Sequence, residues 1–351
     1  MKPQPVYSRL AELAGSYYIK SDVNDWTLRP GYQGLMPSME NPGAVASVSI
    51  NSKGFRGPDF SDESDKIIVL GDSYTFGVYV NDAETFTHHL NELSLEDKKS
   101  DIFINAGFTG GLEIDQHFVW LYANIDKIKP RKLIYASFPP NDIMGISRDS
   151  WVQVGRDGLP KIWESKNLEV NEKGAIDNDD PSHKSLLNLI HNVRVLRESH
   201  FAVAVARVFD MLTQKKPDHS LAYMFLYGLE QPGFAEKEQL YFNLLEGMRR
   251  LCQDRGVEFH VVLIPINFQV EPETRNMFFS GMERFNDMEP TYYSGLENRL
   301  KFLGYDVLNI ERAMKASGEG PFFHKNGEPH FNSTGHRFVG KTVYQWLKDK
   351  K

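Results

Sequence analysis

The sequence predicts an α/β protein built on a mostly parallel five-stranded sheet with helices on both faces. From residue 66 onward, short apolar runs alternate with longer segments of helical period, which is the pattern of parallel strands joined by helical crossovers. The runs are continuous rather than alternating, as in strands buried on both faces. At their carboxyl ends the first three runs lead into Gly71-Asp72-Ser73, Gly107 and Pro139-Pro140-Asn141. In open α/β sheets that carboxyl end is where ligands bind.

Residues 1–65 are rich in Pro, Gly, Ser and Asn and read as an N-terminal extension packing on the core. Within them "INSKGFRGPDF" predicts a short strand followed by glycine turns. The main domain is expected over 66–350. Its first strand is 66–70, followed by a helix over 84–95. A second strand, "IFINA" (102–106), precedes a helix over 113–127, and "KLIYASF" (132–138) is the third strand. Residues 236–256 form a helix of about five turns, with Gly256 where a helix C-terminus favours glycine. "VEFHVVLIPI" (257–266) is the fourth strand. A helix over 291–303 ends at Gly304, and "YDVLNI" (305–310) is a short fifth strand. The final helix covers 334–348, with Asn332 or Ser333 as its N-cap.

An insertion or cap interrupts this series at about 146–235. "WVQVGRDGLPKIW" predicts a hairpin around a Gly-Arg-Asp-Gly turn, residues 169–185 an exposed polar loop, and residues 185–213 one or two amphipathic helices. Trp151 and Trp163 would pack that hairpin onto the body rather than stack on a sugar. Arg194, Arg197 and Arg207 belong to an amphipathic face rather than a membrane-binding one.

The chain has 351 residues and a formal net charge of −7, with no long basic block. No nucleic acid or anionic membrane is therefore expected as a main partner. Cys252 is the only cysteine, so no internal disulfide forms. No run approaches the roughly 18 apolar residues of a membrane span. The first residues lack the apolar centre of a signal peptide. The compartment stays open: a soluble protein, cytoplasmic as given, periplasmic or secreted if a signal segment once preceded it. Oligomeric state is not readable.

The residues after the strands supply what acyl transfer needs. Ser73, in Gly71-Asp72-Ser73, stands at a strand-to-helix turn where a hydroxyl is exposed. A serine hydroxyl needs a base to become nucleophilic, and His330 is the candidate, since imidazole titrates near neutral pH. Glu328 is placed to orient that imidazole. The backbone N–H of Ser73, the backbone N–H of Gly110 and the Asn141 amide are candidate oxyanion donors. Asp72 would shape the turn by hydrogen bonding. The stretch from Gly71 to Gly77 is not a phosphate loop, because the Gly-Lys-Ser/Thr ending is missing. His324, Glu328 and His330 lack a recognised metal-ligand spacing. His336 falls within the last helix and would pack there. Arg56, in "GFRG", pairs with a carboxylate near the site or fixes a turn.

Gly71-Asp72-Ser73, then Asn105-x-Gly107-x-x-Gly110, then Asn141-Asp142, then an acid-x-His pair, resembles the SGNH/GDSL hydrolase superfamily in block order. The resemblance covers roughly 66–146 and 236–348. It implies a flavodoxin-like three-layer α/β/α sandwich with Ser, Gly, Asn and His in the roles above, acting on a small-molecule or glycan ester without cofactor or metal. Many members carry Asp-x-x-His in the last block; here Gly327 holds that place and Glu328 is the acid. The acid-x-His ending, "HFNSTGH" and "INSKGFRGPDF" resemble relatives tied to exopolysaccharide acetylation. The expected function is a serine-dependent carboxylesterase or deacetylase. The alternatives are an O-acyltransferase acting on an exopolysaccharide and a non-catalytic carbohydrate-binding relative.

Overall fold

The computed structural model describes residues 17–24, 26–38, 45–109, 112–164, 169–170, 176–177, 223–229, 231–275, 279, 285, 288–325 and 327–350. Two antiparallel pairs come first: β1 (Tyr18–Lys20) with β2 (Trp26–Leu28), and β3 (Gln33–Pro37) with β4 (Val45–Ser49). Next come β5 (Asp65–Gly71), α1 (Ser73–Phe76), α2 (Phe86–Glu96), β6 (Asp101–Gly107), α3 (Ile114–Ile128), β7 (Lys132–Ser137) and α4 (Pro139–Met144). Two further antiparallel pairs follow, β8 (Trp151–Val154) with β9 (Pro160–Trp163) and β10 (Glu169–Val170) with β11 (Ile176–Asp177). The last elements are α5 (Phe234–Gln253), β12 (Glu258–Leu263), α6 (Asn267–Val270), α7 (Tyr292–Phe302), β13 (Asp306–Asn309), α8 (Ile310–Ser317) and α9 (Ser333–Lys348).

The main sheet has five strands in the order β13-β12-β7-β5-β6, and every neighbouring pair is parallel. Counted by appearance from the β6 edge, this is the flavodoxin-like order 2-1-3-4-5. The chain leaves β5 towards β6 and then returns past it to β7. Right-handed crossovers therefore put α2 on one face and α3 and α5 on the other. The packing follows that rule: α2 lies against α9 and β6, whereas α3 lies against α5 and β5. Ile67 to Leu70 are buried on both faces, which explains why the first strand reads as an unbroken apolar run.

The N-terminal strands are tied to this body by aromatic rings. Tyr17 stacks on Phe76 with ring centroids 5.7 Å apart, Trp26 meets Phe108 at 6.2 Å and Phe55 meets Trp120 at 6.1 Å. Trp151 and Trp163 are register partners across the β8–β9 hairpin, and both are buried. Their indole N–H groups donate to one oxygen of buried Asp115, at 2.8 and 3.1 Å. That pair anchors the hairpin to the first turn of α3 and leaves no face for a sugar.

The structure departs from the sequence reading mainly at the ends of elements. Pro265 and the turn into α6 stop the fourth strand at Leu263. The fifth strand ends at Asn309, whose side chain caps α8 by accepting from Arg312 N–H at 3.3 Å; the sequence reading had no helix there. Asn332, not Ser333, caps the last helix, accepting from Gly335 N–H at 2.9 Å. The amphipathic helices expected over 185–213, and most of the polar loop expected over 169–185, lie outside the described residues.

Candidate active site

The site begins where β5 and β6 end side by side, with Gly71 and Gly107 paired in register. A Cβ on Gly107 would fall 2.0 Å from the Phe76 nitrogen, and one on Gly71 would fall 2.4 Å from Thr75 Oγ1. Glycine at both places lets the turn carrying Ser73 lie directly on the strand ends. Asn105 clips that turn down: its Nδ2 donates to the Thr75 carbonyl at 2.9 Å, and its Oδ1 accepts from Gly107 N–H at 3.0 Å. Gly77 ends the turn in a left-handed conformation, φ +87°. Ser73 therefore opens α1 as its first residue, and the capping role belongs to Asp72, which accepts from Tyr74 N–H at 3.0 Å.

Arg56 holds the chain beyond this turn. Its buried guanidinium donates to the carbonyls of Phe76 at 2.7 Å, Val80 at 2.7 Å and Ser47 at 3.2 Å, and pairs with Asp82 at 2.8 Å. It thus fixes a turn and meets a carboxylate, although Asp82 is not among the residues around Ser73. Burial lowers its pKa, and Asp82 works against that shift. Arg56→Ala leaves several buried acceptors without a donor. The expected loss is about 3–5 kcal/mol, measured as a fall in the urea midpoint.

Ser73 Oγ lies 2.8 Å from His330 Nε2, a contact between residues 257 positions apart. His330 Nδ1 is hydrogen-bonded to Glu328 Oε1. Burial pushes the Glu328 carboxyl up, but the hydrogen bond and charge of His330 outweigh it, so it sits below the ordinary carboxylate value. The loop presenting this pair is tied down at several points. Tyr74 Oη donates to the Pro329 carbonyl at 2.7 Å, His324 N–H to the His330 carbonyl at 3.1 Å, and Asn332 Nδ2 to the Phe323 carbonyl at 2.9 Å. A hydroxyl held on an imidazole whose far nitrogen faces a carboxylate can pass its proton to that imidazole.

Asn141 and Asp72 also meet here. Asn141 sits in the first turn of α4 after β7, and its Nδ2 donates to Asp72 Oδ2 at 3.2 Å. Burial raises the Asp72 pKa from 3.8 to about 6, against the opposing hydrogen bond from Tyr74 and charge of His330. The folded protein therefore holds this proton more tightly than the unfolded chain, and wild type loses the corresponding stability as pH rises from about 4 to about 6. Asp72→Asn removes that dependence. The Tm difference, variant minus wild type, is expected to grow over this window and level off above it, as read by thermal melts across pH.

The structure thus brings Ser73, His330 and Glu328 into one hydrogen-bonded line, with Asp72 and Asn141 beside it. Gly110 lies outside the described residues. His336 is buried in α9, its Nδ1 accepting from Phe86 N–H at 3.3 Å, away from this line. Among the described residues no group of His, Cys, Asp and Glu is arranged to hold a metal ion. Sequence reasoning missed the Tyr74 hydroxyl and a buried acidic neighbourhood. Burial, then Asp115, Asp142 and Asp72, raises Glu113 to about 9, and burial with Asp72 raises Asp142. The one sequence signal for Tyr74 was its place next to Ser73; the carbonyl its hydroxyl meets is 255 positions away, which no local pattern shows.

No family model matches the chain, and no curated protein matches it. Solved structures do. The psychrotrophic esterase EstA from Pseudoalteromonas sp. is similar at 10% identity, over 82% of this chain and 98% of that one, with a TM-score of 0.39. The lipase/acylhydrolase from Enterococcus faecalis is similar at 12% identity, over 81% and 96%, with a TM-score of 0.39. The acetyl xylan esterase AlAXEase is similar at 10% identity, over 80% and 98%, with a TM-score of 0.40.

Proposed function

We propose that this chain is a serine-dependent ester hydrolase of the SGNH/GDSL type, acting through an acyl-enzyme on Ser73. The observation that carries the reading is the hydrogen-bonded line from Ser73 Oγ through the two ring nitrogens of His330 to Glu328. Four sequence blocks in the order of that superfamily, on a 2-1-3-4-5 parallel sheet, support it.

In the first step Ser73 Oγ attacks the acyl carbon and its proton passes to His330 Nε2. The carbonyl oxygen becomes an oxyanion. The Ser73 backbone N–H is available to it, because the first N–H groups of a helix have no intrahelical partner. The Asn141 amide, which gives one N–H to Asp72, has a second for the same oxygen. Gly110 is proposed as the third donor. Collapse of the intermediate expels the alcohol, which takes the proton from His330. In the second step water gives its proton to His330 and attacks the acyl carbon, releasing the acid and restoring Ser73. A sugar hydroxyl in place of water would make the same residues an O-acyltransferase.

Glu328 holds the imidazole tautomer that presents Nε2 to Ser73. Glu328→Gln is expected to lower kcat by about 10²- to 10⁴-fold with little change in KM. Steady-state kinetics on p-nitrophenyl acetate check this, and an unaltered kcat removes Glu328 from the mechanism. The destination of the acetyl group, followed by mass spectrometry with and without an oligosaccharide, separates hydrolase from transferase.

A further inference from the structure

Tyr79 is a tyrosine in a backbone conformation that suits glycine, with φ +70°. For a bulky residue this is a genuine outlier, and such outliers gather at functional sites. The neighbours hold it there. Its N–H meets Met36 Sδ of β3 at 3.0 Å, and the carbonyl of the next residue, Val80, is held by Arg56 at 2.7 Å. Burial does not account for the choice of residue, because Tyr79 is only half-buried.

What the conformation achieves is placement. The Tyr79 ring lies 5.7 Å from the His330 ring at 78° and 6.0 Å from the His324 ring at 81°. Tyr74 also flanks His330, at 5.0 Å, but it is fully buried and its hydroxyl is used on Pro329. Tyr79 is the partly open flank, and its hydroxyl has no hydrogen-bond partner among the described residues.

We infer that Tyr79 is a substrate-contacting residue that holds the alcohol portion of the ester, a hydroxylated sugar ring, against the open side of His330. The inference rests on the proposed roles of Ser73 and His330. His330 must deliver its proton to the departing alcohol, so that portion of the substrate lies beside the imidazole. A phenol offers an apolar face and a polar tip together, which matches a pyranoside with its C–H face and its hydroxyls.

The test measures binding and folding separately. In full-length Ser73→Ala protein, binding of an acetylated xylo-oligosaccharide is followed by calorimetry, with and without Tyr79→Asn or Tyr79→Phe. Asparagine tolerates the left-handed conformation, so Tyr79→Asn is expected to keep or raise Tm while weakening binding by about tenfold or more. Tyr79→Phe, which loses only the hydroxyl, is expected to weaken it by about two- to fivefold. Equal affinity in all three proteins, or no saccharide binding by the parent, overturns the inference. So does a Tm loss of about 5 °C or more in Tyr79→Asn, which would assign the ring to packing. Protein with Ser73 intact that binds the saccharide through Tyr79 yet releases no acetate from it or from p-nitrophenyl acetate contradicts the hydrolase reading and leaves the Tyr79 contact standing.

Discussion

Replacing Ser73 with alanine is expected to lower kcat on p-nitrophenyl acetate by on the order of 10⁴- to 10⁶-fold. The variant should keep its fold, because among the described residues Ser73 Oγ makes one side-chain contact, to His330, and the turn is held without it. Asp72 still caps, Asn105 still binds the Thr75 carbonyl and Arg56 still binds the Phe76 carbonyl. The loss should fall on kcat, with KM changed far less. Residual activity within about tenfold of wild type would mean that another group attacks the ester.

The second large effect concerns Gly107, which contributes no chemistry of its own. Gly107→Ala puts a methyl 2.0 Å from the Phe76 nitrogen and 2.5 Å from the Thr75 carbonyl carbon. Those are backbone atoms of the turn that begins at Ser73, so no side chain can swing aside. Either the turn lifts off the strand ends or β6 shifts. The expected destabilisation is about 3 kcal/mol, at the upper end of overpacking. The protein that remains folded should lose about 10²-fold in kcat, since a displacement of about 1 Å at a reacting group has that consequence. Gly295→Ala in α7 is the control: among the described residues, nothing beyond its chain neighbours and its own helix backbone lies within 4 Å of its added methyl, and an alanine there should add up to about 1 kcal/mol. Urea melts and initial rates on the two variants check both statements.

These two residues also show what the sequence made legible. Continuous apolar runs ending in small or polar residues located the parallel strands and their carboxyl ends, because burial on both faces leaves that mark on composition. Ser73, His330 and Glu328 could be picked out because the proposed chemistry asks for a hydroxyl, an imidazole and a carboxylate, and the structure sets these three in one hydrogen-bonded line. Strand order was not readable from local pattern, since nothing in β6 states that it lies on the far side of β5 from β7; only the flavodoxin-like fold that the resemblance implies carried it. The tertiary fastenings were also hidden. Arg56 reads as a turn arginine until Phe76, Val80 and Asp82 are seen converging on it. Trp151 and Trp163 look like hairpin aromatics until both indoles are found on Asp115. Helix α8 was missed because it is short and follows its strand without a loop, the cap Asn309 being the strand's own last residue.

The proposed chemistry rests on Ser73 as a nucleophile whose proton goes to His330. The most direct measurement exposes wild type, Ser73→Ala and His330→Ala to an alkyl fluorophosphonate and maps the adduct by peptide mass spectrometry. The expected result is one phosphonyl group on Ser73 in wild type, none in Ser73→Ala, and labelling of His330→Ala slowed by on the order of 10³-fold or more. A phosphonyl group on any other residue of wild type, or labelling of Ser73 at an unchanged rate without His330, would contradict it.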